Sequence, residues 1–342
     1  MKAIHITTIF FLTVLALSPL IQAKAENSPI VCTYYYAWYG GPDHPWTNIL
    51  DTPVLGFYNS SYIDILVKQL KWIREAGIDC LIISWWGPGH FTDLNARKVF
   101  ELLAEYGLKA VILVEPYLGQ DPSNYNATWW NQTLAYIDEN YIGRYPDSYL
   151  YLDGKPLVLA FNPVGETYKP DNASGYAVRI VGNGVDGSGY KDWDLWPDYD
   201  KQLTGELRIR KNGYVALAPR YDDEHFRPGG VPQYDPDLSR GWYQRQWEWV
   251  LEHQDQVRII AIYSWNEYHE RSMIEPHNDA TAYLRDPFYL YKITADYIQK
   301  LEEPSSLVAG TRLGASMGFA LLMVSLVVGF LARLAGSRLE YI

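Results

Sequence analysis

The stretch VRIIAIYSWNEYHE, residues 257–270, decides how the chain is read. Apart from Arg258, residues 257–263 are apolar or aromatic, and Ser264 closes the run, which is the composition of a strand covered on both faces. With no spacer it then becomes Trp265, Asn266, Glu267, Tyr268, His269 and Glu270, a dense polar and aromatic cluster. Working outward, the same unit recurs. Strand-like runs are predicted over residues 31–36, 80–84, 110–114, 156–161, 176–181 and 214–218, making seven with 257–264. Between them lie helices. Ile65, Leu66, Leu70 and Ile73 repeat at helical spacing behind a cap at Ser60 or Ser61; Asp93 caps a helix reaching Tyr106; further helices cover about 129–141 and 242–253. Short apolar strands alternating with amphipathic helices mean a parallel sheet covered on both sides. No Gly-x-Gly-x-x-Gly or phosphate-loop pattern follows the first strand, so an α/β fold of the (β/α)8 TIM-like barrel type is expected, with the eighth strand not legible.

In such a barrel the C-terminal strand ends meet on one face, and the residues found there carry the argument about function. After the first strand come Trp38, Tyr39 and Gly40, after the second Trp85, Trp86 and Gly87, and after the third Glu115, Pro116 and Tyr117. The sixth is followed by Arg220, Tyr221, Asp222 and Asp223, and the seventh by the Glu267 and Glu270 cluster. Two carboxyls three residues apart at a strand end can serve a glycosidic bond, one giving a proton to the leaving oxygen and one assisting across the anomeric carbon. The spacing also fits one carboxylate acting only as a helix cap or in an ion pair with Arg271. Zinc is not expected, because His269 and Glu270 are adjacent and no second histidine stands at helical spacing; no cofactor is implied.

Both ends of the chain read differently from its centre. Residues 1–25 carry Lys2, an apolar run and a small-x-small site around Ala23 and Ala25, the order of a secretory signal peptide. Residues 313–332 hold no charge and lie between Arg312 and the pair Arg333 and Arg338, as a transmembrane helix would with residues 333–342 as a cytoplasmic tail. Residues 26–303 are then one barrel domain outside the cytoplasm, and 304–312 its tether. The chain carries a net charge of −11; the two positive charges near its start and the two in excess after residue 306 leave −15 between them. Such a surface repels phosphate backbones, so nucleic acid is not an expected partner. Cys32 and Cys80 each open a predicted strand, and these could form one disulfide or remain two small buried thiols. Sequons at Asn59, Asn126, Asn131 and Asn172 suit an exported surface. The 13 Trp and 29 Tyr suit both a core and sugar-stacking surfaces.

Taken in order, residues 34–40, 72–79, 84–87, 115–117, 221–223 and 265–276 resemble the successive motifs of glycoside hydrolase family 99, the endo-α-mannosidases and their relatives. The resemblance implies a (β/α)8 barrel and internal cleavage of α-mannosides with retention of configuration. It implies that Glu267 deprotonates the sugar's 2-hydroxyl, by way of a 1,2-anhydro intermediate, and that Glu270 is the acid/base. Tyr36, Trp85 or Trp86, Glu115, Tyr117, Tyr221 and Arg227 would line the substrate cleft, with His269 orienting. Two departures stand out: Arg271 and Ser272 follow Glu270 where the family tends to Gly-Thr, and Arg220 replaces a commoner glycine. Arg271 could then fill a subsite or lower the Glu270 pKa. The expected function is a membrane-anchored retaining endo-glycosidase on an oligosaccharide or polysaccharide, at the cell surface or another extracytoplasmic face. The rivals are an inactive carbohydrate-binding barrel and a glycan-assembly enzyme.

Overall fold

The computed structural model describes residues 28–162, 164, 175–182, 191–197, 207–229, 233–281 and 285–303. Eight parallel strands form the frame: β1 (Ile30–Tyr35), β2 (Cys80–Trp85), β3 (Lys109–Val114), β4 (Lys155–Phe161), β5 (Ala177–Gly182), β6 (Trp193–Asp194), β7 (Tyr214–Leu217) and β8 (Ile259–Ile262). Their hydrogen-bonded order is β6-β5-β4-β3-β2-β1-β8-β7, the sequential order of a TIM-type barrel. Side chains close the seam between β6 and β7. The Trp193 and Tyr214 rings stack at 4.3 Å, the Tyr214 hydroxyl donates to the Asp194 carbonyl at 2.8 Å, and Arg210 grips the Asp194 carboxylate at 2.6 and 2.7 Å. The barrel is thus nearly closed. The strand that sequence reasoning missed is β6, two residues long in a polar stretch, too short to show any periodicity.

Alternation along the strands builds two cores. Inside the barrel lie Cys32, Tyr34, Ile82, Val111, Leu113, Leu159, Ala216 and Ala261; outside, against the helices, lie Val31, Tyr35, Leu81, Ile83, Ile112, Val158, Val215 and Ile260. Helices α1 (Ile63–Glu75), α2 (Phe91–Tyr106), α3 (Ala127–Ile137), α4 (Trp242–Glu252) and α5 (Tyr289–Glu302) supply the outer layer. In α1 the helical spacing read from sequence holds, with Leu66, Leu70 and Ile73 fully buried. Its cap does not. Tyr62 occupies the N-cap with no side-chain bond, while Ser60 is buried. In α2 the cap is His90, which accepts from the Thr92 amide, and Gly107 ends the helix in the left-handed region at φ 62°. Asp93 is instead a buried carboxylate, receiving the Trp85 indole N–H at 2.8 Å, the Tyr136 hydroxyl at 2.6 Å and the Tyr141 hydroxyl.

Cys32 and Cys80 face each other in the β1–β2 register, 4.5 Å apart at Cα, and are joined by a disulfide. The expected signal peptide, tether, transmembrane helix and tail lie outside the described residues, as does Asn172. Among the described residues no helix is long and apolar enough to cross a membrane.

Candidate active site

At the C-terminal face of the barrel is a cavity of about 420 Å³. The ends of seven of the eight strands contribute to it: Tyr36 and Trp38 from β1, Trp86 from β2, Glu115 and Pro116 from β3, Phe161 from β4, Leu195 and Trp196 from β6, Tyr221, Asp223 and Arg227 from β7, and Tyr263, Glu267 and Glu270 from β8. Of the residues expected from sequence, Glu267, Glu270, Tyr36, Trp86, Glu115, Tyr221 and Arg227 are brought together here.

Three are not at the wall. Trp85 is the last outward position of β2, so its ring points into the helix layer and is fully buried against Tyr117 and Tyr136. Tyr117 lies behind the Gly87 backbone, where its hydroxyl accepts from the Trp129 indole at 3.1 Å. His269 sits beside Glu267, its ring nearly parallel to Tyr39 and 4.4 Å from Phe226, with Nδ1 at 3.3 Å from Glu267 Oε1. It contacts the carboxylate without lining the cavity. The wall residues not among those expected to line the cleft are Trp38, Pro116, Gln120, Phe161, Leu195, Trp196, Asp223 and Tyr263. Trp38, Asp223 and Tyr263 were visible as strand-end aromatics and acids; Trp196 follows the strand too short to be read.

The loop carrying the two glutamates is pinned from several sides. Asn266 donates to the Tyr36 carbonyl at 2.9 Å and accepts from the Tyr36 amide at 2.8 Å, fastening the β8 loop to the end of β1. Beneath it Glu275 is a buried carboxylate receiving Gln69, Tyr58 and Tyr268 at 2.7, 2.9 and 2.9 Å, and burial pushes it up to about 7. Glu267 Oε1 accepts from the His269 amide at 2.9 Å and faces the Tyr39 hydroxyl at 3.5 Å. Among the described residues these contacts all fall on Oε1. Glu270 is held at both oxygens, Oε2 by the Tyr263 hydroxyl at 2.6 Å and Oε1 by Arg227 at 3.1 Å. Burial, with the charge of Glu267 added, pushes Glu270 up to about 7 against the pull of Arg227 and Tyr263. Glu115 is pushed up to about 8, mainly by burial, although the Ser84 hydroxyl donates to it at 3.0 Å. A carboxyl near neutrality beside a second one held by a different set of partners is an arrangement suited to proton exchange with a bound molecule.

Arg271 departs from both roles considered for it. Its guanidinium turns away from the cavity and is buried on Asp51 at 2.8 Å and Asp222 at 2.7 Å, while Arg220 meets Asp51 at 3.0 Å and Asp279. It neither fills a subsite nor pairs with Glu270; Arg227 does the latter. Among the described residues Asp51, His277 and Asp279 bring metal-ligand atoms within 4.8 Å of one another. Both arginines already lie on those carboxylates, so protein side chains supply the positive charge there.

No family model matches the chain. A glycoprotein endo-α-1,2-mannosidase of Rattus norvegicus is 23% identical over 327 residues, covering 72% of this chain and 67% of the relative. One of Xenopus laevis is 24% identical, covering 71% and 68%. The chain thus spans about two thirds of the length of these relatives. Among solved structures, the family 99 endo-α-mannosidase of Bacteroides thetaiotaomicron superposes with a TM-score of 0.61 at 19% identity, covering 80% of this chain and 97% of that one. A glycoside hydrolase-like protein superposes at 0.53, with 14% identity and coverage of 82% and 97%. The similarity to glycoside hydrolase family 99 read from the motifs is borne out, and with it the expectation of a glycoside hydrolase on a TIM-like barrel.

Proposed function

We propose that this chain is a retaining endo-glycosidase of α-mannoside-type linkages, tethered outside the cytoplasm, with Glu270 as acid/base and Glu267 as the base acting on the sugar's 2-hydroxyl. The observation that carries the reading is that both carboxyls reach one cavity in unequal settings, Glu270 near neutrality and gripped by Arg227 and Tyr263, Glu267 held at Oε1 by His269. Near neutral pH Glu270 carries a proton for part of the population. It gives this proton to the glycosidic oxygen as the C1–O bond breaks, while Glu267 takes the 2-hydroxyl proton and O2 closes on C1. Water then attacks C1, losing a proton to Glu270, as the C1–O2 bond opens and O2 recovers its proton from Glu267. Two displacements at C1 leave its configuration retained. Trp38, Trp86 and Trp196 offer flat apolar faces to the sugar, and the half-exposed Arg227 draws Asp223 and Glu270 together.

The α-mannoside assignment is supported by the names of the relatives. The location is supported by the Cys32–Cys80 disulfide, which is characteristic of oxidising compartments, and by the signal-like and span-like ends of the sequence. The test is to incubate the full chain with a panel of α-mannosides and α-glucosides beside Glu270→Gln, and to read the first product and its anomeric form by NMR. Release of an α-configured oligosaccharide, lost roughly a hundredfold or more in the variant, is expected. Binding without turnover by both proteins would favour the inactive carbohydrate-binding barrel.

A further inference from the structure

Glu270 has two oxygens, and the barrel treats them differently. Oε2 meets the Tyr263 hydroxyl at 2.6 Å, from a side chain at the end of β8 that is only 3% exposed and wedged between Tyr34, Tyr36 and Trp196, with ring separations of 5.4, 6.2 and 5.5 Å. Oε1 meets Arg227, whose side chain is 49% exposed and shared with Asp223 at 3.0 Å. One partner is fixed in the floor of the cavity. The other sits at its open edge, with a second carboxylate to fall back on.

That asymmetry matters to a group that must be neutral before it gives up a proton and anionic afterwards. A guanidinium only donates, so it holds a bare carboxylate oxygen more strongly than the same oxygen once it carries a proton. A phenol anchored on Oε2 can go on donating to that oxygen whether or not a proton sits on Oε1. We propose that Tyr263 is the positioning residue for the Glu270 proton: by holding Oε2 from the barrel floor it keeps the transferable proton on Oε1, on the Arg227 side of the cavity. When Oε1 is protonated, Arg227 retires to Asp223; when the proton has left, Arg227 returns. This rests on Glu270 being the proton donor of the proposed reaction. The other groups facing Glu270 are Glu267 from the same loop, Glu115 from β3, Tyr221 from the β7 loop and Tyr36 from β1. The carboxylates favour retention of its proton, and the two donors favour its release.

The test uses the full chain, Tyr263→Phe, and a version with 3-fluorotyrosine placed at position 263, which keeps the shape and makes the phenol a stronger donor. Titration of the Glu270 carboxyl is followed by carbon NMR on glutamate-labelled protein, with the resonance assigned by its absence in Glu270→Gln. Tyr263→Phe is expected to raise the Glu270 titration by about one pH unit, the size of one lost hydrogen bond to a charged group, and the fluorinated phenol to lower it. With α-mannosides, Tyr263→Phe should lose roughly tenfold in kcat where the leaving group needs a proton and little where it is a nitrophenol, with KM unchanged. Titrations that stay put, or move the same way in both proteins, overturn the proposal. So does an equal loss of kcat on both kinds of leaving group. The NMR titration does not depend on turnover. Its failure therefore tells against Tyr263 alone, whereas full activity in Glu270→Gln tells against the functional reading itself.

Discussion

Trp85 and Trp86 are neighbours in sequence and opposites in role, because successive side chains at the end of β2 leave by opposite faces of the barrel wall. Trp85→Ala empties a fully buried site, so a loss of about 3–5 kcal/mol is expected in denaturant melts. Trp86→Ala removes a cavity wall and should instead raise KM for an oligosaccharide several-fold at nearly unchanged stability. The contrast between the two melts, set beside two KM values, checks the assignment. Glu270 makes a second prediction at this scale. It acts first as an acid and is pushed up to about 7, so kcat/KM should fall as pH rises through about 7, the fraction still protonated setting the rate. The titration belongs to the coupled pair with Glu267, so in a carbon NMR titration of glutamate-labelled protein, which needs no turnover, Glu267→Gln should move Glu270 downward by removing the charge that helps keep the proton on.

The β8 loop keeps its shape through bonds to its own and to other elements. Asn266 satisfies both backbone groups of Tyr36, and Asn266→Ala would leave a buried N–H and a buried C=O without partners. A loss of about 2–5 kcal/mol is expected, with kcat falling as β1 and the β8 loop part company; thermal melts and initial rates read both. Asn266→Asp keeps the acceptor and loses the donor, and should fall between the two. The β1–β2 pair is stapled by a disulfide across 48 residues of chain. In the chain-entropy picture a loop of that length stabilises by about 4 kcal/mol, so Cys32→Ala with Cys80→Ala should melt on the order of 10 °C lower than the oxidised chain, and reduction should do the same.

At the scale of the whole molecule, three carboxyls among the described residues are buried more deeply than a carboxylate tolerates: Glu115 is pushed up to about 8, Glu270 and Glu275 to about 7. All three have folded pKa values above the unfolded one. Each therefore binds its proton more tightly in the folded state, and the stability this contributes is present below pH 4.5 and lost as pH rises through 7 to 8. Melting temperatures should accordingly decline from pH 5 to pH 8.5. Glu115→Gln, which mimics the protonated form, should make the decline shallower; an unchanged slope would show that Glu115 ionises without cost. The buried set of Asp51, Arg220, Asp222, Arg271 and Asp279 works differently, since each acid there has an arginine against it.

The amino-acid sequence alone determined the alternation of strand and helix, the strand ends that hold polar residues, and the Glu267 and Glu270 pair. Each of these is a local pattern, an apolar period or a cluster a few residues long. Tertiary structure decided what local pattern does not encode. It placed β6 at two residues by closing the ring around Trp193 and Tyr214. It turned Trp85 outward and Tyr263 inward. It sent Arg271 to Asp51, 220 residues away in the chain, and gave Glu270 to Arg227. An arginine's partner depends on which carboxylates the barrel brings within reach of its long side chain, and a carboxyl's proton depends on how much water the surrounding strands exclude. Both are properties of the nearly closed ring, and no window of sequence contains them.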